Sequence, residues 1–248
     1  MSFPRQVVPE LLDNLAATDP AAVRSREDLK RVHQVMGTRS ILLRALGKFR
    51  VQRQGRPLRI LELGAGDGSL MLSVARALDP GWAPVELTLL DRLALLDPRT
   101  TAAYAQLGWV ATNQIGDVHE WARMATLSSY SADPSPRWDL IVANLFLHHF
   151  DEEQLPTLLA GISLGCERFV ACEPRRSRLA LVASQLIGTI GVGAVTRADA
   201  VLSVRAGFVG SEISNSWPAP NLAWESREYA AGRFSHCFVA ARTTAAGA

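Results

Sequence analysis

The sequence predicts an α/β protein in which helices alternate with the strands of a mainly parallel sheet. The main observation is the segment 58–78, where an apolar strand pattern is followed by a helical pattern. Gly64, Gly66 and Gly68 separate the two patterns. A strand, a glycine-rich turn and a helix open a nucleotide-binding α/β unit, because residues without a Cβ let the backbone approach a ligand closely. The alternative is a turn that only needs positive φ and binds nothing.

Composition agrees with one such domain. The chain has 248 residues, 48% of them hydrophobic, which is enough for a full core plus an appendage. A formal net charge of +2 is too small to indicate nucleic acid as a partner. The three cysteines are odd in number and lack metal-ligand spacing, so we expect no disulfide framework, no metal and a reducing, cytoplasmic compartment. We also expect neither a signal peptide nor a membrane span.

The residues of the glycine turn indicate which ligand it favours. A dinucleotide fingerprint has glycine at its sixth position, where this chain has Ser69. Such a fingerprint also leaves the helix N-terminus free for a pyrophosphate, whereas here the carboxylate of Asp67 lies at that point. The turn therefore favours a cationic or zwitterionic ligand over an anionic one.

The run Glu62-Leu-Gly-Ala-Gly-Asp-Gly68 resembles the first motif of the class I S-adenosylmethionine-dependent methyltransferases. In that family the glycines lie under the methionine part of the cofactor, and the first acid, here Glu62, helps to orient its amino group. The resemblance implies a Rossmann-like seven-stranded sheet of order 3-2-1-4-5-7-6 with helices on both faces. It also implies an N-terminal helical lid at 1–50, followed by a methyltransferase domain at 51–248.

Further cofactor contacts are expected where the next strands end. Asp91 ends the second strand, about twenty residues past the glycine turn, and is placed to accept both ribose hydroxyl hydrogens; alternatively it is a cap or loop acid. Asp117 follows the third strand, where the resemblance implies a contact with the adenine amino group; alternatively it is only a helix N-cap. The resemblance places S-adenosyl-L-methionine against Met36, Glu62, Gly64, Ala65, Gly66, Asp91, Arg92, Asp117, Val118 and Asn144.

The segment before the first strand is predicted to be mostly helical. One amphipathic helix covers 7–15, and a second covers 22–49. The first half of the second helix is basic, which is also typical of a solvated helix face. Because an N-terminal helical segment closes over the cofactor in many small-molecule methyltransferases, the resemblance implies a lid lined by 36–39, with Gly37 as a hinge or close-contact point.

The fourth strand, 138–143, leads into Asn144-Leu-Phe-Leu-His-His-Phe150. The carboxyl end of a central strand faces the ligand crevice in open α/β sheets, so the candidates for the active-site mouth are Asn144, Phe146, His148 and His149. A hydroxyl acceptor of high pKa needs a general base, and histidine titrates in the right range. We expect His148 or His149 to be that base, with His236 in reserve. The alternative is that these histidines cap or pack.

Two features follow the fifth strand, 166–173. Arg175 or Arg176 either grips a substrate carboxylate or phenolate or forms a salt bridge with Glu173 or with the surroundings of the following helix. An unusually apolar insertion at about 179–206 either packs as a core-facing helix and loop or walls an apolar substrate pocket.

The last two strands are expected to begin at Gly207 and Phe234 and to pair as an antiparallel hairpin. Several segments, among them 144–150 and 173–176, are similar to bacterial methyltransferases found with polyketide or phenolic-lipid pathways.

The predicted reaction is methyl transfer from S-adenosylmethionine to a small, apolar or aromatic acceptor. Oxygen is the favoured atom, because no Asn-Pro-Pro-Tyr type motif for nitrogen methylation follows the fourth strand. An NAD(P)-dependent oxidoreductase would share the turn and Asp91, but the chain lacks the third glycine and a Tyr-x-x-x-Lys pair. A cofactor-binding protein without catalysis stays open as a third class. The oligomeric state is left open between monomer and dimer.

Overall fold

The computed structural model describes residues 3–47, 55–78, 80–82, 84–131, 137–218 and 224–243. Seven strands form a single sheet of order β3-β2-β1-β4-β5-β7-β6, which confirms the predicted order. The first five strands are parallel, and β7 runs antiparallel to both β5 and β6. The strands are β1 Leu58–Leu63, β2 Val85–Asp91, β3 Trp109–Ile115, β4 Leu140–Asn144, β5 Arg168–Pro174, β6 Trp224–Ala231 and β7 Ser235–Arg242.

Helices cover both faces of the sheet, as predicted. Along β1, Ile60 packs into a core with Tyr104 of the helix Pro98–Ala105, whereas Leu61 packs on the opposite face with Leu158 of the helix Gln154–Gly165. The two cores form because successive side chains of a strand point to opposite faces. The helices are α1 Pro20–Met36, α2 Thr38–Leu46, α3 Ser69–Ala75, α4 Pro98–Ala105, α5 Val118–Ser129, α6 Gln154–Gly165, α7 Arg178–Leu186, α8 Ala194–Ala206 and α9 Glu212–Ser216. Within the described ranges, no helix is long and apolar enough to cross a membrane.

The predicted helix at 7–15 is wrong. Residues 3–15, which we call the N-terminal strap, have no regular secondary structure apart from a turn and a short 3₁₀ helix at Leu12–Asn14. The backbone N–H groups of Leu11 and Leu12 donate to the Asp199 carboxylate at 2.7 and 3.0 Å. Hydrogen bonds to α8 therefore replace the intrahelical bonds on which the apolar pattern alone had suggested a helix.

The predicted helix at 22–49 is divided in two by Gly37. This residue has φ +67°, and its N–H donates to the Gln34 carbonyl oxygen at 3.1 Å, which ends α1. A left-handed φ of this kind favours glycine at a helix end. The chain enters α2 immediately, and residues 48 and 49 lie outside the described part. The proposed domain boundary at 50/51 lies there as well.

The prediction of a strand beginning at Gly207 is also wrong. Phe208 forms only an isolated bridge with Arg175, and the sixth strand begins at Trp224. The reason is that β5 ends at Pro174 and the chain then turns into α7, so a longer strand would find no partner. Gly207 is needed for the close approach, because a Cβ there would lie 2.3 Å from the Pro174 carbonyl oxygen.

All three cysteines carry reduced thiols and are fully buried. Cys172 and Cys237 lie opposite each other in the β5–β7 pair. Burial raises the pKa of the Cys166 and Cys172 thiols well above the ordinary value. These thiols therefore act as small core side chains in the native fold.

Candidate functional site

Three polar side chains share one face of the sheet at the carboxyl ends of neighbouring strands. Glu62 of β1 pairs with Leu89, two residues before Asp91, and with Val142, two residues before Asn144. Because strand side chains alternate with a period of two, Glu62, Asp91 and Asn144 lie on the same face. This is the edge at which open α/β sheets bind ligands.

The glycine turn beside these side chains has positive φ at Gly64, Gly66 and Gly68. A Cβ on Gly64 would lie 2.2 Å from a Phe146 ring carbon, and a Cβ on Gly68 would lie 2.9 Å from Leu89 Cδ1. These two glycines are therefore required by packing within the protein. Gly66 differs, because a Cβ there would meet nothing within 4 Å. Gly66 thus presents bare backbone to open space.

Asp91 supports the turn from the end of β2. Its Oδ2 accepts a hydrogen bond from the Gly66 N–H at 2.9 Å, and its Oδ1 accepts from the Leu93 N–H at 3.0 Å. Each carboxylate oxygen has a second lone pair, so hydroxyl donors can still bind.

Glu62 is a buried carboxyl group without a full set of partners. It is 3% exposed, and its Oε2 has no hydrogen-bond partner among the described residues. Burial, together with the nearby charges of Asp67 and Asp91, raises the pKa of Glu62 to about 8. Asn144 Oδ1 is likewise buried without a described partner. Buried acceptors of this kind are costly unless a donor satisfies them, so the site suits a ligand with cationic or N–H groups.

Asp67 occupies the start of the helix that follows the turn. Its Oδ1 accepts from the Ser69 N–H at 3.0 Å, and its Oδ2 lies 3.1 Å from Lys30 Nζ of α1. The carboxylate thus binds the first residue of α3 and ties α1 to the turn. The α3 N-terminus therefore carries an acid where a pyrophosphate would need positive potential.

The remaining predicted cofactor residues have different surroundings. Asp117 Oδ1 accepts from the His119 N–H at 2.7 Å, which confirms it as the N-cap of α5 without deciding a contact with adenine. Val118 beside it is buried, and Ala65 packs against the core of its face. Arg92 is mostly exposed and lies 3.4 Å from Asp13. Met36 lines the cavity described next.

A cavity of about 330 Å³ is bounded by α1, α7, α8 and residues that directly follow or end β4 and β5. Its walls are mainly apolar, with a few polar groups supplied by the strap, α1 and α8. The predicted apolar insertion does wall this cavity, since α7, the 3₁₀ turn after it and α8 all contribute. Representative lining residues are Leu29, Val32, Leu145, Ala183, Ile187 and Val204.

His148 lies between two carboxylates. It is 3% exposed, with Nδ1 2.9 Å from Glu173 Oε2 and Nε2 3.3 Å from Glu10 Oε1. Burial lowers the pKa of His148, but hydrogen bonds and charges from the two acids outweigh it and raise the pKa to about 9. For Glu10, burial raises the pKa, and the His148 contacts outweigh that effect and lower it. Both ring nitrogens of His148 are thus engaged.

His149 and His236 differ in their surroundings. His149 is partly exposed, with its Nδ1 3.4 Å from Asp13 Oδ2 and its ring centroid 4.3 Å from that of His148. His236 is buried, and its Nε2 lies 2.7 Å from Glu228 Oε1. The Glu228 carboxylate also accepts from two backbone N–H groups of α9, so the His236 pair fastens that helix to the sheet.

The arginine pair after β5 does not bind Glu173. Arg176 is 4% exposed and pairs with the Glu212 carboxylate, while its Nε donates to the Phe3 carbonyl oxygen at 2.7 Å. Arg175 Nη1 donates to the Gly232 carbonyl oxygen at 3.4 Å. Arg176 therefore fastens the strap and α9, which disagrees with the predicted Glu173 salt bridge.

Two residues at the site have no signal in the sequence. Glu10 lines the cavity and contacts His148, yet it lies in the strap, 138 positions away along the chain. Leu145 also lines the cavity and is the single non-glycine residue with positive φ, +48°, in the described ranges. Its N–H donates to the Cys172 carbonyl oxygen at 2.9 Å. A left-handed leucine is strained, and this strain lies at the edge of the site.

No protein-family model matches the chain, and no curated protein matches it. The chain is similar to the solved plantazolicin methyltransferase BpumL in complex with SAH, with 12% identity, a TM-score of 0.57 and coverage of 91% of this chain and 92% of that one. For plantazolicin methyltransferase BamL in complex with a triazolic desmethylPZN analog and SAH, the identity is 12%, the TM-score is 0.57, and the match covers 94% of this chain and 93% of that one. For the DszA carbon methyltransferase, the identity is 17%, the TM-score is 0.56, and the match covers 93% of this chain and 61% of that one. At these identities the likeness establishes the fold, which is the predicted Rossmann-like methyltransferase fold.

Proposed function

We propose that this protein is an S-adenosylmethionine-dependent methyltransferase that acts on a small apolar or aromatic acceptor. The observation that carries the proposal is the buried oxygen Oε2 of Glu62, which has no hydrogen-bond donor among the described residues. Beside it, the Gly66 backbone is open, since a Cβ there would meet nothing within 4 Å. A cationic amino group would satisfy that oxygen, and a dinucleotide phosphate would not. The fold agrees with this assignment.

The residues present fit the cofactor. Glu62 would hold its amino group, Asp91 would accept its ribose hydroxyls, and Gly66 would allow close approach of its chain. Asp117 and Val118 would contact the adenine, and Ala65, Arg92, Asn144 and Met36 would lie around it. When bound, S-adenosylmethionine supplies a methyl group that is already activated by the adjacent sulfonium charge.

The cavity supports an apolar acceptor. Its volume of about 330 Å³ falls in the range of small-molecule sites, and its walls are largely aliphatic. Methyl transfer asks little covalent help of a protein, so the tasks of these walls are to orient the acceptor and exclude water. Orientation of this kind contributes on the order of 7 kcal/mol or more. We propose oxygen as the acceptor atom.

An oxygen acceptor of high pKa would need a base, and we assign that role to His149 rather than to His148 or His236. Asp13 can orient the His149 ring through Nδ1, and no described residue bonds the other ring nitrogen. His148 has carboxylates at both nitrogens, and His236 is bound to Glu228 under α9. An acid that orients a partly exposed imidazole is a common arrangement for proton removal.

Residues 1–50 are proposed as a lid over a methyltransferase domain at 51–248. The support is that α1 contacts the glycine turn through Lys30 and Asp67 and also lines the cavity through Leu29 and Val32. A single helix thus borders both ligand spaces.

The test is calorimetric titration with S-adenosylhomocysteine and separately with NAD. We expect binding of S-adenosylhomocysteine alone, weakened at least about tenfold by Asp91→Ala, because hydrogen bonds to a charged group are lost. Asp97→Ala is the matched control, because Asp97 also accepts from backbone N–H but caps the exposed start of α4. Binding of NAD alone would overturn the proposal. Methyl transfer to a panel of phenols would then separate an enzyme from a binding protein without catalysis.

A further inference from the structure

We propose that Glu10, His148 and His149 form a binding site for one divalent cation, with Zn²⁺ as the best match. Each residue offers a ligand atom, and these atoms all lie within 4.8 Å of one another. Two imidazoles and one carboxylate are the protein ligands of catalytic zinc sites that keep one position open. The site is separate from the cofactor crevice, and its existence does not depend on methyl transfer.

The spacing of the ligand atoms fits coordination. His148 Nε2 and Glu10 Oε1 are 3.3 Å apart. Two atoms bound to one tetrahedral zinc ion at about 2.0–2.1 Å stand roughly 3.3–3.4 Å apart. The pair therefore needs little movement to take a cation between its two atoms.

The surroundings of the ligands are those expected around a metal site. A metal-bound histidine usually donates its other ring N–H to a carboxylate or carbonyl, which fixes the ring orientation. His148 Nδ1 lies 2.9 Å from Glu173 Oε2, and the Glu173 carboxylate is itself held by the backbone N–H groups of Phe146, Leu147 and His148. In the same way, Asp13 Oδ2 lies 3.4 Å from His149 Nδ1. Ser203 Oγ donates to Glu10 Oε1.

The location of the metal site, next to the apolar cavity, assigns a role to the bound cation. Glu10 lines the apolar cavity, so an open coordination position would border the space proposed for the acceptor. The ligand class would be an acceptor with a phenolic or other hydroxyl oxygen, whose pKa falls on coordination. This use rests on the proposed function, and the bound cation would then replace His149 as the means of activating that oxygen.

The experiment starts from the full chain treated with a chelator. Zn²⁺ is titrated calorimetrically, and Co²⁺ is titrated by visible absorption, whose intensity distinguishes four-coordinate from six-coordinate cobalt. We expect one equivalent of each metal and an intense four- or five-coordinate cobalt spectrum. Glu10→Gln and His149→Ala should each weaken Zn²⁺ binding by roughly 100-fold or more, whereas the controls Glu120→Gln and His119→Ala on α5 should leave it unchanged.

Circular dichroism shows whether each variant is folded, and the isosteric Glu10→Gln keeps the test open if His149→Ala unfolds. Absence of stoichiometric binding, or equal affinity in Glu10→Gln and the parent protein, would overturn the metal site and leave a buried histidine between two acids. Titration with S-adenosylhomocysteine separates the two proposals. Zinc binding without S-adenosylhomocysteine binding would support the metal site and contradict the methyltransferase.

Discussion

Asp91 Oδ2 accepts a hydrogen bond from the Gly66 N–H at 2.9 Å, so the acid that ends β2 holds the glycine turn that follows β1. The residue assigned to the cofactor ribose therefore also shapes the loop on which the cofactor would lie. Loss of affinity in Asp91→Ala has two physical sources, a lost ligand contact and a loosened turn. Denaturation of the variant alongside its titration separates the two.

We expect S-adenosylhomocysteine binding to release a proton from Glu62. With a pKa of about 8, this carboxyl group is mostly protonated at neutral pH, and a cationic amino group would favour its ionised form. Affinity should therefore rise between about pH 6 and 8, by at most about tenfold per pH unit. Calorimetry in buffers of different ionisation enthalpy measures the released proton directly. In Glu62→Gln the proton release should vanish, and a persistent release would assign it to another group.

We expect Gly66→Ala to lose cofactor affinity without an unusual loss of stability. Gly66 and Gly210 both have positive φ, +57° and +62°, and a Cβ at either position meets nothing within 4 Å. Each alanine variant should lose about 1–2 kcal/mol of unfolding free energy from backbone strain. Gly66→Ala alone should weaken S-adenosylhomocysteine binding, by at least about tenfold, because its methyl group would enter the ligand space. Urea denaturation and calorimetry check the pair, and unchanged affinity would remove Gly66 from the site.

We expect Ala183→Phe to restrict the acceptor and leave the cofactor site unchanged. Ala183 lines the cavity, so a benzyl group there would occupy part of its volume of about 330 Å³. Val182→Phe is the matched control, because Val182 is 53% exposed on the same helix. Turnover of bulky acceptors should fall at least about tenfold in Ala183→Phe, with small acceptors less affected. Equal activity of both variants on every acceptor would place the acceptor elsewhere.

We expect Arg176→Ala to act on stability. Arg176 is buried whereas its partner Glu212 is partly exposed, so loss of their charge-assisted hydrogen bonds should cost about 2–3 kcal/mol. Arg175→Ala should cost about 0.5 kcal/mol or less, because it removes only a long, exposed contact. Chemical denaturation compares the two variants. A stable Arg176→Ala protein with a raised KM for the acceptor would instead restore a role in gripping the substrate.

The sheet could be predicted because its signals are local. The strands β1, β2, β4 and β5 are short, mainly apolar runs, whereas β3 has only Trp109, Val110 and Ala111 at its start as an apolar signal; Asp91 ends β2, and Asp117 lies two positions after β3. The glycine motif indicated the ligand type through Ser69 and Asp67. These features depend on neighbouring residues, which a sequence displays directly.

The surroundings of the histidines could not be predicted, because their partners are distant along the chain. Glu10 contacts His148 from the strap, whose next two residues, Leu11 and Leu12, are bound to Asp199 on α8. The apolar pattern at 7–15 favoured a helix. That prediction was wrong because apolar spacing carries no information about hydrogen bonds to another element. The positive φ of Leu145 is likewise set by its bond to β5.

Because all three thiols are buried, the rate at which they react with an alkylating reagent measures transient opening of the fold. Alkylating reagents attack the exposed thiolate, so the folded protein reacts only when the strands around Cys166, Cys172 or Cys237 separate. A compound that binds the native state reduces that opening by mass action. The rate of thiol alkylation therefore ranks unlabelled compounds by affinity, and acceptor candidates can be screened before any turnover assay exists.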